Sequence, residues 1–184
     1  MHYFSDELYF DQIVKNAINS IANPALDSFM AFITNLGAPV TFYILAAVGF
    51  VYLISKQKIP EGIFLLLCIF TSWGVMNSLK LLFMRARPAG EPLTYAVGYS
   101  FPSGHATLAM AFYGFIIYLI MSANKNSRTK WLSGFIAALI FLIGISRIYL
   151  NVHYATDVLA GFILGSILLG TFIILLRYFK SRLF

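Results

Sequence analysis

Five stretches of the chain lack charged residues and are long enough, alone or with a short extension, to cross a bilayer: 28–55, 62–79, 106–124, 131–146 and 158–176. The fourth is short, but Arg147 can snorkel toward the interface and Ile148, Tyr149 and Leu150 extend the apolar run. Pro39 either kinks the first stretch or marks a late start. Residues 5–21 follow a different pattern, with apolar positions at Leu8, Ile13, Val14, Ala17, Ile18 and Ile21. That spacing predicts a helix lying in the membrane interface with its acidic face toward water. No Pro/Gly/Ser-rich linker, repeat or low-complexity segment interrupts the chain. The expectation is an all-α, polytopic membrane bundle forming one domain over 1–184, with an N-terminal amphipathic segment (1–27) and about five spans (28–184).

Composition agrees with that pattern. Of the 184 residues, 60% are hydrophobic and 11% charged, whereas soluble domains carry charge on about a quarter of theirs. A net charge of +6 raises the question of nucleic acid. The basic residues, however, fall in short clusters between apolar runs and form no face interleaved with aromatic stacking positions, so no nucleic-acid partner is expected. Cys68 stands alone inside an apolar run, which excludes an intrachain disulfide and fits a buried structural thiol. The opening MHYFSDELYF is acidic and aromatic, unlike a cleavable signal peptide. His2 is assigned no role.

Charge also orients the spans. Lys56 and Lys58, then Lys125, Arg128 and Lys130, then Arg177, Lys180 and Arg182 fall in segments that alternate onto one side, which the positive-inside rule makes cytoplasmic. The amino terminus, the loop from Arg85 to Phe101 and the turn near Asn151 then face outward. Lys15, Lys80, Arg85, Arg87 and Arg147 remain. Four of these five sit at outward helix ends, against the topological trend.

Three polar clusters meet that surface. In "KLLFMRARP" (80–88), Lys80 and Arg87 are seven residues apart, two turns along one helical face, with Asn77 a turn earlier and Pro88 ending the span. A basic collar touching lipid headgroups is the plain role for this cluster. In "YSFPSGHAT" (99–107), Pro102 and Ser103 read as a helix start, Ser103 as its cap, and Gly104 as leaving backbone N–H groups accessible to an anion. A simple cap beside a lone His105 is the plain alternative. In "SRIYLNVHYATD" (146–157), His153 and Asp157 are four apart, so on a helix a carboxylate would hold one imidazole nitrogen and free the other as base or nucleophile. A satisfied capping pair is the plain alternative there. Together the clusters offer three cations and helix-end amides for a multiply charged anion, plus two histidines and a carboxylate for chemistry. That inventory fits phosphoryl transfer.

In order, Lys80-x6-Arg87-Pro88, Pro102-Ser103-Gly104-His105 and Ser146-Arg147-x5-His153-x3-Asp157 resemble the tripartite signature of the type-2 phosphatidic acid phosphatase superfamily, without a substitution. The resemblance implies a metal-independent helical phosphatase needing no cofactor. It implies that His153 attacks phosphorus to form a phosphohistidine, that Asp157 orients His153, and that His105 protonates the leaving oxygen. Lys80, Arg87, Ser103, Gly104 and Arg147 would hold the phosphate. Bacterial membrane members usually have six spans; on this count the chain lacks the first and opens with the amphipathic segment.

Five apolar spans argue against the soluble vanadate-binding haloperoxidases of the same superfamily. A lipid phosphotransferase would differ only in the acceptor. A non-enzymatic anion channel or lipid-binding protein would account for the basic cluster but not for a His–Asp pair with a second histidine. No Walker loop, dinucleotide glycine motif or multi-cysteine metal site is present. Arg85 lies outside the signature, and headgroup contact is its expected role. The expected substrate is a lipid phosphate whose tail stays in the bilayer: undecaprenyl pyrophosphate, phosphatidylglycerophosphate or phosphatidic acid, processed at the outward surface of a bacterial cytoplasmic membrane. Residues 89–101 would border its headgroup, with Glu91, Tyr95 and Tyr99 as selectors.

Overall fold

A computed structural model of the chain describes residues 7–183. The first six residues of the N-terminal segment, His2 among them, lie outside the described residues. The chain runs α1 (Tyr9–Asn19), α2 (Pro24–Asn35), α3 (Pro39–Ser55), α4 (Ile59–Phe83), α5 (Gly104–Ala123), α6 (Ser127–Tyr149) and α7 (Ala155–Leu183). Local chemistry sets several starts. Pro24, Pro39 and Pro60 occupy first-turn positions, where a missing N–H costs nothing. The Asn23 and Asn126 side chains accept from Leu26 N and Thr129 N to cap α2 and α6.

Four helices, α4 to α7, are each long and apolar enough to span a membrane. The first apolar stretch is broken: α2 and α3 meet at 46° and together make a fifth span only as a bent pair. Pro39 therefore begins a second helix. Gly37 lets the corner sit close to the bundle, since a Cβ there would run into Ile143 Cγ2 and come within 3.1 Å of His105 Cδ2.

Helix α5 is the central post. It packs most extensively on α7, then on α6 and α4, and Leu108, Ala109, Ala111 and Phe115 on it are fully buried. Its approach to α7 depends on Gly161 and Gly165. A Cβ at these positions would lie 2.7 Å from Ser103 O and 2.6 Å from Thr107 O. Small residues four apart replace side-chain interdigitation with backbone contact, a usual device where lipid removes the hydrophobic drive between helices. Cys68 is buried and unpaired, as expected. Val48, Val51, Leu82 and Phe135 remain exposed on the outside, which suits a lipid solvent.

The N-terminal expectation needs correction. Helix α1 forms, but its acid does not face water: Asp11 is 2% exposed. Its carboxylate accepts from Thr156 N at 2.8 Å and Thr156 Oγ1 at 2.9 Å, at the beginning of α7. The first turn of a helix has N–H groups without intrahelical partners and a positive dipole end, so a carboxylate supplied by another element satisfies both. That interaction outweighs the solvation of one acidic face.

Candidate active site

The end of α4, the start of α5, the end of α6 and the turn into α7 converge at one end of the bundle around a cavity of about 770 Å³. Six of the eight candidate residues line it: Lys80, Arg87, Gly104, His105, Arg147 and His153. Ser103 and Asp157 are each fully buried beside them. Pro39 and Val40 of α3, Trp73 and Leu81 of α4, and Tyr95 to Tyr99 complete the wall. Val40, Trp73 and Leu81 are also substantially exposed on the bundle's outer face. The polar floor therefore adjoins an apolar side opening onto lipid.

Local geometry differs from the sequence expectations at three places. Helix α4 stops at Phe83, because Met84 adopts a left-handed conformation with φ 47°. Lys80 and Arg87 consequently share no helical face; Lys80 reaches the site from the helix and Arg87 from the non-helical segment after it. His153 is not helical either. It sits in the turn before α7, while Asp157 lies in the first turn of that helix and accepts from Tyr154 N at 2.9 Å. The turn, with Asn151 at φ 54°, brings the pair together where helical spacing was expected to. Ser103 precedes α5 as anticipated, but its side chain makes no cap hydrogen bond. Its N–H donates to Asp157 O at 3.0 Å, tying the start of α5 to the start of α7.

The imidazole of His153 is 3% exposed. Its Nδ1 lies 3.5 Å from Asp157 Oδ2 but only 3.2 Å from Ser100 Oγ. Ser100 Oγ in turn donates to Asp157 Oδ2 at 2.5 Å. A hydroxyl has one proton, and with that proton on Asp157 its oxygen accepts from Nδ1–H. The chain Nδ1–H to Ser100 to Asp157 puts the ring's lone pair on Nε2. Nε2 accepts a long hydrogen bond from Arg87 Nη1 at 3.4 Å, and both residues line the cavity. Burial, with Arg87, Arg147 and Lys80 nearby, pushes the His153 imidazole down to about 3 despite the upward pull of Asp157. It is therefore neutral at physiological pH, the form in which an imidazole nitrogen can serve as base or nucleophile.

The cations are held in place. Arg147 Nη1 donates to Thr34 Oγ1 of α2 at 2.5 Å. Lys80 Nζ donates to Tyr99 O at 2.6 Å, and Arg87 donates to Val97 O, Gly98 O and Val152 O at 2.7, 3.0 and 2.7 Å. Loop 89–101 is thereby drawn over the site. Of the candidate phosphate-binding residues, the buried Ser103 Oγ and Arg147 Nε lack a hydrogen-bond partner among the described residues. Leaving such a group unmet costs about 1–3 kcal/mol, and a phosphate oxygen has the acceptor capacity to meet both. Among the described residues no three His, Cys, Asp or Glu side chains gather as a cation site.

Arg85 is not a headgroup contact. It is 3% exposed, its Nη1 donates to Asp157 Oδ1 at 2.6 Å and to Thr156 Oγ1 at 2.8 Å, and its Nη2 donates to Asp11 Oδ2 at 2.9 Å. Ser100, Arg85 and Asp11 are the site-adjacent residues that sequence reasoning missed. Ser100 lies within the YSFPSGHAT stretch, but with Tyr99 and Ser103 offering hydroxyls beside it nothing in the sequence singled it out.

The family model of the PAP2 superfamily matches residues 61–181, a stretch that contains every candidate residue. The chain is similar to phosphatidylglycerophosphatase B of Bacillus subtilis, 36% identical over 162 residues that cover 86% of this chain and 79% of that protein. It is similar to an undecaprenyl-diphosphatase of Sulfolobus acidocaldarius, 31% identical over 155 residues that cover 80% of this chain and 68% of that one. Among solved structures, the transmembrane PAP2-type phosphatidylglycerolphosphate phosphatase of Bacillus subtilis superposes with a TM-score of 0.81 at 31% identity, covering 94% of this chain and 85% of that one. LpxE of Aquifex aeolicus gives 0.74 at 25% identity, covering 92% and 98%. With the family match spanning most of the chain and the same bundle in a relative, this multi-pass membrane protein belongs to the PAP2 superfamily of lipid phosphatases.

Proposed function

We propose that the chain hydrolyses the phosphomonoester or diphosphate of a membrane lipid, without a metal ion, through a phosphohistidine on His153. The observation that carries this reading is the two-sided setting of His153: Nδ1 tethered through Ser100 to Asp157, and Nε2 facing Arg87 at 3.4 Å beside the cavity. The Nε2 lone pair forms a bond to phosphorus as the bond from phosphorus to the lipid oxygen (or lipid phosphate oxygen) breaks. His105, taking up a proton as the phosphate's negative charge enters among the cations, donates it to that leaving oxygen. Water then attacks the phosphohistidine, His105 takes back a proton, and inorganic phosphate leaves with His153 restored. Lys80, Arg87 and Arg147, with Ser103 Oγ and the Gly104 amide, neutralise the equatorial oxygens in a site shielded from water. The apolar side of the cavity at Val40, Trp73 and Leu81 supports a substrate whose tail stays in lipid.

Undecaprenyl pyrophosphate, phosphatidylglycerophosphate and phosphatidic acid are the candidate substrates, and the names of the relatives support that class. The reading takes residues 1–184 as one catalytic unit in a bacterial cytoplasmic membrane with the site facing outward, as the loop charges indicate. The test has two parts. Purified protein is incubated with each lipid carrying labelled terminal phosphate, then quenched in alkali. Acid-labile, alkali-stable label on wild type and none on His153→Ala is the expected result; turnover without any phosphoenzyme, or label on His153→Ala, overturns the mechanism. Cysteine labelling in intact cells should reach residues 89–101 and not 125–130; the reverse pattern overturns the orientation.

A further inference from the structure

The ion pairs of Arg85 form a buried ladder that leads from the N-terminal helix to the catalytic carboxylate. Asp157 is fully buried, and its two oxygens have separate duties. Oδ2 takes Ser100 Oγ and Tyr154 N and faces His153, while Oδ1 takes Arg85 Nη1. The guanidinium is fixed on its other edge by Asp11 Oδ2 and lies with Cζ 4.1 Å from the centre of the Tyr154 ring. Thr156 Oγ1 closes the circuit, accepting from Arg85 Nη1 and donating to Asp11 Oδ2. Arg85 also acts through its main chain: its carbonyl accepts from Ser100 N at 2.8 Å. One residue therefore anchors both members of the Ser100–Asp157 contact that orients His153.

We infer that Arg85 and Asp11 are positioning residues for the Asp157–Ser100–His153 chain, so that α1 braces the reaction centre. The inference rests on the reading of His153 as nucleophile and Asp157 as its orienter. The physics is that of a buried charge set. A carboxylate with no water around it holds its ionised, directed form only with a fixed cation at hydrogen-bond distance, and removing one member of such a set leaves the others uncompensated. Arginine suits the position because its planar fork reaches two carboxylates at once, which the single ammonium of lysine does not. Asp11 supplies the anchor on the Nη2 edge, without which the guanidinium is held by hydrogen bonds from its Nη1 edge alone, to Asp157 and Thr156. A shift of about 1 Å in a reacting group lowers rate by up to ~10²-fold.

The test compares full-length wild type with Asp11→Asn, Arg85→Lys, Asp157→Asn and the double variants containing Asp157→Asn, measuring kcat, KM and Tm in detergent on a short-chain phosphatidic acid. Expected are a fall in kcat of up to ~10²-fold for Asp11→Asn and for Arg85→Lys at unchanged KM, and no further fall when either joins Asp157→Asn, since groups that act through one another are not additive. A positioning role moves kcat and shows this non-additivity; a structural brace moves Tm alone. Arg85→Lys retains the buried charge and keeps the comparison open should Asp11→Asn fold poorly. Unchanged kcat in both single variants, or losses that add to that of Asp157→Asn, overturns the inference while leaving the site reading standing. Undiminished kcat in Asp157→Asn overturns the site reading itself, and the inference with it.

Discussion

Ser100 Oγ stands 2.5 Å from Asp157 Oδ2, closer than the 3.5 Å at which His153 Nδ1 approaches the same oxygen. The histidine and carboxylate of the signature thus communicate mainly through a hydroxyl that no spacing rule includes. A serine in this position selects the Nδ1–H tautomer and passes the pull of the carboxylate to the ring.

Ser100→Ala should therefore slow phosphoenzyme formation without abolishing it. A hydrogen bond to a charged group is worth about 1.5–3 kcal/mol, which corresponds to roughly 10- to 100-fold in rate. Rapid-quench measurement of labelled enzyme is the check, with Ser100→Thr retaining much of the rate because the hydroxyl survives. Wild-type kinetics in Ser100→Ala would show that Asp157 orients His153 directly.

The two histidines should fail differently. On the proposed mechanism His153→Ala removes the attacking atom, so product should be lost with every substrate. His105→Ala removes a proton donor, and general acid help is typically worth ~10²–10⁴-fold. That loss should be severe for a lipid alcohol leaving group and mild for an activated aryl phosphate. Steady-state turnover of both substrate types by both variants decides it. Equal loss on both substrates in His105→Ala, with label still taken up by His153→Ala, would reverse the assignments.

His153 makes stability depend on acidity in a defined direction. Its imidazole titrates near 3 in the folded protein against an ordinary value of 6.5, so between those values the unfolded chain binds the extra proton and the native one does not. The group's contribution is full above about pH 6.5 and is lost as pH falls toward 3. Thermal melts in detergent should show Tm declining across that window, and declining less in His153→Gln. Parallel curves for the two proteins would contradict a neutral, buried His153.

In the proposed mechanism Lys80, Arg87 and Arg147 provide the positive charge that metal ions supply in many phosphatases. A chelator should leave hydrolysis intact. Vanadate, which resembles the transferring phosphoryl group, should inhibit competitively, and less so in Arg147→Gln. An absolute requirement for magnesium in a lipid-phosphate release assay would count against a cation-lined site.

Gly165 tests the packing that holds the site ends together. A Cβ there would lie 2.6 Å from Thr107 O and 2.7 Å from Met110 Cβ, neither of which is a flexible tip. Gly165→Ala should destabilise the bundle by about 1–3 kcal/mol, the usual range for overpacking. Gly170→Ala, at a position with open space around it, should be close to neutral. Denaturation in mixed micelles compares the two.

The apolar runs made most of this architecture legible in the sequence, because a membrane-spanning helix must hide its backbone and so advertises its length. Legible too were the eight residues gathered at one end of the bundle, because each belongs to a compact motif at a helix end. What sequence could not show was how those ends are built. Met84 turning left-handed separates Lys80 from Arg87, and no periodicity announces that. The Arg85–Asp157 contact joins positions 72 residues apart and Arg85–Asp11 positions 74 apart. For Asp11 the amphipathic pattern misled, because a carboxylate on a polar face reads as solvated until another helix offers it free amides. Ser100 escaped for a related reason: its place depends on the carbonyl of Arg85, fixed only once the loop has closed.

The loop carbonyls over the cavity alter what three cations mean for turnover. Lys80 and Arg87 already donate to Val97, Gly98, Tyr99 and Val152, so in the proposed site an arriving phosphate would exchange for these acceptors and would not meet bare charge. Its affinity is a difference between two sets of contacts, smaller than the count of positive side chains implies. The same internal competitors return when inorganic phosphate is the occupant. A lipid has its buried tail to tip the exchange toward binding, whereas the liberated ion has nothing beyond its oxygens. The protein thereby discriminates between what it must capture and what it must let go, using the same charges for both.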